Sequence, residues 1–269
     1  MPEGDTVWRS ARDQHAALAG RVLTRCDIRV PRFAAVDLTG ETVREVVARG
    51  KHLFHRVGEW SIHSHLKMEG AWRLFPAVAP GSPGGAGYER WRRPAFQARA
   101  VLTTAPVQSV GFELGVLEVL PRAEEQQAVA HLGPDLLGPD WDADEAVRRL
   151  AAAPEVPVAV ALLDQRNLAG VGNVYATEIC FVRGVLPTRP VGEVPDLPAV
   201  VDLAHRMLTA NRDRAIRSTT GDLRSGRTSW VYGRAGRPCR RCGTPVAGGE
   251  LGRVPGQERV TAWCPVCQR

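Results

Sequence analysis

Four cysteines near the C-terminus carry the clearest chemical spacing in the chain: Cys239-x2-Cys242 and Cys264-x2-Cys267, with 21 residues between the two pairs. Two close pairs separated by a hairpin-length spacer supply four thiolates for tetrahedral zinc. A closed site of this kind is structural, because one ion replaces a core that roughly 30 residues could not build. A redox pair is the main alternative for a single C-x-x-C, and two pairs at this spacing argue against it. The finger predicts one bound Zn2+ and leaves open whether DNA, RNA or protein is gripped. At the other end Met1 precedes Pro2 and Glu3. Methionine before so small a side chain is usually trimmed, which leaves Pro2 with a free secondary amine. An α-amino group titrates at about pH 8, so a nucleophilic fraction exists at physiological pH. Glu3 beside it has the chemistry of a general acid. Taken alone, a Pro-Glu start most often marks nothing more than a loose terminus.

The charge balance points the same way as the finger. The 269 residues carry a net charge of +6. Ten arginines and only two acidic residues, Asp213 and Asp222, lie between Arg206 and Arg241. Elsewhere such a run would be a solvated basic face; leading directly into a metal-type motif, it suggests a phosphate-binding surface. Arginine outnumbers lysine 33 to two, so Lys51 and Lys67 are the positions to ask about. Apolar runs are too short to span a bilayer and the start lacks an apolar signal core, so a cytosolic chain without a membrane partner is expected. Cys26 and Cys180 sit among apolar residues and read as core filler.

The elements that must position these groups change character along the chain. A helix is expected over 5–19, with Asp5 or Thr6 as N-cap and Gly20 as its stop. RVLTRCDIRV then alternates, placing Val22, Thr24, Cys26, Ile28 and Val30 on one face. Further strands are expected at 43–47, 52–57, 60–66, 70–75, 96–103 and 107–120, with a Pro/Gly-rich loop, PAVAPGSPGGAGYER, among them. Many short strands between turn signals imply a β-sandwich or barrel. HLGPDLLGPDWD reads as a linker. Helices follow at 143–152, opened by Asp142 and Glu145 in a capping box, from Pro157 through VAVALLDQR, over VYATEICFVRG, and at 197–212.

Together these stretches resemble one family. MPEG before a helix, ARGKHL, HSHLKMEG, HLGPDLL, LLDQRNLAGVGNVYATEI and VYGRAGRPCRRCGTPV…QERVTAWCPVCQ are similar, in this order, to segments of the formamidopyrimidine-DNA glycosylase / endonuclease VIII family. The resemblance implies an α+β multidomain fold: an N-terminal β-sandwich with a leading helix over 1–123, a linker over 124–140, a helix-two-turn-helix domain over 141–226 and a zinc-finger β-hairpin over 227–269. It implies a bifunctional glycosylase and abasic-site lyase, with Pro2 as Schiff-base nucleophile, Glu3 as proton donor and Lys51 as a phosphate-contacting lysine at the lesion. His65, Asn173 and Arg259 would hold DNA backbone, Met68 would fill the gap left by a flipped base, and Cys239, Cys242, Cys264 and Cys267 would hold zinc. The partner implied is damaged double-stranded DNA, with single-stranded or bubble DNA as a second form, bound by a monomer.

Two departures bear on the chemistry. Asp5-Thr6 stands where most relatives have Pro-Glu, so either Asp5 compensates from one residue earlier or proton handling differs. VGFELGVLEVL lacks the Arg-Phe pair of the purine-specific branch, and PEG replaces PEL. Both favour the endonuclease VIII branch and oxidised pyrimidines. The alternatives are an oxidised-purine enzyme of the same family and a homologue that binds damaged DNA without catalysis; a ribosomal or transcription-factor zinc ribbon would leave the N-terminal half without a use.

Overall fold

The alternation in the first half becomes short antiparallel strands in the computed structural model, which describes residues 2–77, 91–256 and 258–269. Two units are compact in themselves, one of residues 1–2 and 6–130, the other of 3–5 and 131–269. From residue 78 onward the Pro/Gly-rich stretch lies outside the described residues.

In the first unit, α1 (Gly4–Leu18, whose first two residues count with the second unit) precedes β1 (Arg25–Ile28), β2 (Val43–Arg49), β3 (His52–Val57), β4 (Trp60–His65), β5 (Ala71–Pro76), β6 (Ala98–Thr103), β7 (Val107–Phe112), β8 (Val116–Pro121) and the short α2 (Glu125–Val129). They form two four-stranded sheets, ordered β1-β6-β7-β5 and β2-β3-β4-β8. Ile28, Ala100 and Leu102 of one sheet share a core with Leu53, Val57, Ile62 and Leu117 of the other, and with Val7, Ala11 and Leu18 of α1. Each fully buried aliphatic chain stabilises the unit by roughly 1.5–3 kcal/mol relative to exposure. The sandwich and its leading helix are as expected.

Several expectations need correction. The helix starts at Gly4 rather than Asp5, because Gly4 N–H is tied to Gly170 O at 2.9 Å and the Asp5 carboxylate is engaged elsewhere. Only Arg25–Ile28 of RVLTRCDIRV is a strand, and Leu23 is the fully buried residue while Val22 is half exposed. The single strand over 107–120 is two. Glu113 adopts a left-handed φ of 47°, the chain turns, and β7 pairs with β5 and β6 while β8 pairs with β4 in the other sheet. Phe-Glu-Leu-Gly keeps the alternation through the corner, so periodicity could not reveal it.

The second unit contains α3 (Ala143–Ala151), α4 (Val158–Leu163), α5 (Asn173–Arg183), α6 (Leu197–Asn211), β9 (Ala247–Leu251) and β10 (Arg259–Trp263). Asp142 accepts the Glu145 N–H at 2.9 Å, while Glu145 turns to Arg148 and Arg149, so half of the capping box forms. α4 ends at Leu163 rather than running to Arg166, since Asp164 is extended at its C-cap. α5 ends on Gly184 at φ 70°, the left-handed cap that glycine favours. β9 and β10 make the hairpin between the cysteine pairs. The stretch read as a linker is structured: Leu136 N–H donates to Ala169 O and Ala169 N–H to Pro134 O. Cys180 is buried as expected, and burial pushes its thiol up to about 12.

Candidate active site and metal centre

A cavity of about 530 Å³ opens in the first unit beside Pro2, walled by Thr6, Arg9 and Ser10 on the N-terminal side and by Met68 and Trp72 on the other. Met68 sits on the turn after β4, and at 53% exposed it is no core methionine. Gly70 N–H donates to Leu66 O at 2.9 Å and closes that turn. A Cβ on Gly70 would lie 2.4 Å from the Leu66 carbonyl, so the close backbone approach requires glycine. Lys67 takes φ 54° in the same turn, and its N–H donates to His65 Nδ1 at 2.9 Å. Arg93, also on the cavity, pairs with Glu113 at 3.1 Å.

Lys51 is not in a strand. Arg49 pairs with His52, leaving Gly50-Lys51 as a two-residue hairpin loop with Gly50 at φ 57°, the first position of a type II′ turn. The turn presents Lys51 next to a histidine set. His52 Nδ1 lies 2.8 Å from His63 Nε2, His63 Nδ1 lies 3.2 Å from Glu118 Oε2, and the His65 ring meets His52 edge-on at 5.1 Å. Burial, then the charges of Lys67 and Lys51, bring His65 down to about 4.

In the second unit Glu3 is fully buried. Its carboxylate accepts from Gly172 N–H and Val174 N–H, both at 2.8 Å, and from Tyr175 N–H at 3.4 Å. These are orphan donors at the start of α5, where the helix dipole favours a negative charge. A Cβ on Gly172 would fall 2.4 Å from the Glu3 carboxyl carbon, so a larger residue there would displace the carboxylate from these amides. Asp5 accepts from Arg217 through Nε at 2.8 Å and Nη2 at 2.5 Å, and from the Tyr175 hydroxyl at 3.0 Å. The sequence offered no pointer to Arg217 beyond its place among many arginines.

Asn173 is the first residue of α5 rather than its cap, which is Gly172. Its side-chain amide donates to Val260 O at 2.7 Å, and the backbone amides of Gly172 and Val174 on either side of it donate to Glu3. Arg259 opens β10 and is exposed.

The four cysteine sulfurs lie within 4.8 Å of one another. Zn–S bonds of about 2.3 Å require sulfurs roughly 3.8 Å apart, so the cluster fits the ion. Arg241 N–H points at Cys239 Sγ at 3.4 Å, and among the described residues the buried core beside it is Phe181, Val231, Val246, Ala262 and two of the cysteines, with Val182, Trp230 and Cys267 packed against them. The arginine-rich run is stitched down before it. Glu178, buried in α5, accepts from the N–H groups of Trp230, Val231 and Tyr232 at 2.7–2.8 Å and from the Thr219 hydroxyl. Asn211 and Ser218 exchange two hydrogen bonds, and Thr220 Oγ1 donates to Arg227 O.

Residues 1–112 match the formamidopyrimidine-DNA glycosylase N-terminal domain, and residues 132–224 match the H2TH domain of the same glycosylase. The chain is 57% identical over 269 residues to the DNA-(apurinic or apyrimidinic site) lyase Nei2 of Mycolicibacterium smegmatis, covering 100% of this chain and 99% of the relative. The chain belongs to the formamidopyrimidine-DNA glycosylase / endonuclease VIII family. Within this family of DNA glycosylases and abasic-site lyases it is endonuclease VIII-like. It is 54% identical over 273 residues, with both chains fully covered, to Endonuclease 8 2 of Mycobacterium bovis. A formamidopyrimidine-DNA glycosylase of Rhodospirillum centenum is 33% identical over 296 residues, covering 100% of each chain. The family fold is shared with MutM in complex with carbocyclic 8-oxo-G containing DNA, at TM-score 0.80, 22% identity and full coverage of both chains. Among the described residues no helix is long and apolar enough to cross a membrane.

Proposed function

We propose that the chain excises oxidised bases, pyrimidines preferred, from damaged duplex DNA through a Pro2 Schiff base, and cuts the strand by β,δ-elimination. The observation that carries this reading is Pro2 at the wall of a cavity of about 530 Å³, large enough for a flipped base. With Met1 removed, the Pro2 nitrogen bonds to the sugar C1′ as the glycosidic bond breaks and the base leaves with a proton. Glu3 serves as proton donor and shuttle, opening the sugar ring to give an iminium. The iminium acts as an electron sink: loss of a C2′ proton expels the 3′ phosphate, and a second elimination expels the 5′ phosphate. A one-nucleotide gap with phosphates at both ends remains.

Lys51, His65, Asn173 and Arg259 are assigned to the DNA backbone, and Met68 to the space the flipped base leaves. The exposure of Met68 and of Arg259 supports these assignments. Cys239, Cys242, Cys264 and Cys267 would hold one structural Zn2+, which fixes the hairpin rather than entering the reaction. We place the enzyme in the cytoplasm as a monomer. The pyrimidine preference rests on Phe112-Glu113-Leu114-Gly115 standing in place of the Arg-Phe pair and on Gly4 after Glu3.

Borohydride trapping on an abasic-site duplex tests the reaction. The protein with a processed N-terminus should give a covalent adduct that peptide mapping places on the Pro2 nitrogen, and a preparation retaining Met1, whose Pro2 nitrogen is an amide, should give none there. No adduct from a processed N-terminus would overturn the reading and favour a non-catalytic homologue. A panel of oligonucleotides with oxidised pyrimidines and purines reads the preference.

A further inference from the structure

The N-terminal pair Asp5-Thr6 leaves open which group stands behind Glu3. The second unit contains a ring of four residues, Glu3, Arg217, Asp5 and Tyr175, that answers it. Asp5, 1% exposed, receives the Arg217 guanidinium in a two-point pair at 2.8 and 2.5 Å. The other guanidinium nitrogen, Nη1, lies 3.7 Å from Glu3 Oε1. Tyr175 closes the ring: its hydroxyl donates to Asp5 Oδ2 at 3.0 Å, its backbone N–H points at Glu3 Oε2 at 3.4 Å, and the guanidinium lies over its ring at 5.0 Å. Burial works against the charge on Arg217, but the bond to Asp5 and the charges of Glu3 and Asp5 outweigh it and raise its titration point.

The charge count inside this ring acts on top of the three backbone N–H groups that already favour the Glu3 carboxylate. A lone buried guanidinium beside Glu3 would hold that carboxyl ionised, since an opposite charge within about 4–6 Å favours the charged form. A group fixed in that state is a poor proton shuttle. With Asp5 on its far side, Arg217 belongs to a pair of no net charge, and the Asp5 carboxylate opposes the pull of the guanidinium on Glu3. Among the described residues of this unit, Arg217, Asp5 and Tyr175 are charged or titratable side chains that face Glu3, beside the N–H groups of Gly172, Val174 and Tyr175. Burial, followed by the charge of Asp5, pushes the Tyr175 hydroxyl far above its ordinary range, so it stays a neutral donor.

We propose that Asp5 is a positioning residue acting on Glu3 through Arg217: it neutralises and orients the guanidinium so that Glu3 can exchange a proton. Thr6 lines the cavity in the other unit. The inference rests on Glu3 being the proton donor for base release.

The test is the pH dependence of single-turnover base release from a damaged duplex, beside borohydride trapping on a preformed abasic site. Asp5→Asn leaves Arg217 uncompensated, so the alkaline limb of base release should move to lower pH by about a unit, a tenfold loss at a fixed pH on that limb. Arg217→Met removes the positive charge and should move the limb to higher pH. The double variant should return it towards the wild-type position, and Arg217→Lys should leave it in place. Opposite displacements support the proposal; falling amplitudes with no displacement, or displacements of the same sign, overturn it. Should Asp5→Asn fail to fold, Arg217→Met decides alone, a limb moved to higher pH supporting the proposal and an unmoved limb overturning it. Failure of the underlying reading shows differently, as no borohydride adduct from the wild-type protein.

Discussion

His55 lies against Trp72 with ring centroids 4.4 Å apart, and neither imidazole nitrogen has a hydrogen-bond partner among the described residues. It occupies the core-facing phase of β3 between Leu53 and Val57, and burial lowers it from 6.5 to about 3. The unfolded chain binds a proton near 6.5 that the folded chain refuses until about 3, so stability is lost as pH falls through that window. At pH 5 the loss is about 2 kcal/mol from this group. His63 and His65 are also lowered, chiefly by burial, and act in the same direction. His55→Phe should flatten the pH dependence of thermal unfolding between pH 6.5 and 4 and leave the protein more stable at pH 5; an unchanged slope would refute this.

Removing the metal should unfold the hairpin rather than loosen it. Phe181, Val231, Val246 and Ala262 are too few to hold residues 230–269 together. Metal analysis should give one zinc per chain. Cys264→Ser, or a strong chelator, should abolish that zinc, expose the segment to protease and weaken DNA binding at least tenfold.

Glu178 anchors the arginine-rich run through three consecutive backbone N–H groups. Glu178→Gln replaces one accepting oxygen by a donor facing those N–H groups. Bonds to a charged acceptor contribute about 1.5–3 kcal/mol, so a cost of about 3 kcal/mol is expected. Calorimetry should show the melting point fall by several degrees, and limited proteolysis should cut first between residues 212 and 232.

Met68 is exposed on its turn, so shortening it leaves the core intact. Met68→Ala should change unfolding by less than about 0.5 kcal/mol. Its effect belongs in kcat/KM, down about tenfold on a duplex lesion and little on the same lesion in single-stranded DNA, where no stack must be filled. Equal losses on both substrates would remove the wedge role.

The four-cysteine cluster was legible because its chemistry depends on local spacing, which Cys239-x2-Cys242 and Cys264-x2-Cys267 display directly. The start of α3 was legible for the same reason, its cap being three residues from the N–H it receives. The turn from β7 to β8 was hidden because its residues keep the period of a strand through the corner. Arg217 was hidden for a different reason: it meets Asp5 across 212 positions, and nothing local in the sequence separates it from the other arginines of the run. The environment of Glu3 is likewise a product of tertiary structure, made by backbone amides that carry no residue signature.

The stitched arginine run has a thermodynamic consequence. Its loop is fixed by Glu178, by the exchange between Asn211 and Ser218 and by the Thr220–Arg227 bond before any polyanion arrives. Ordering entropy is therefore lost during folding and not at the encounter. Association should be governed by released counterions, with a steep salt slope and a small heat-capacity change, the signature of a rigid electrostatic template rather than of a segment that folds around its partner.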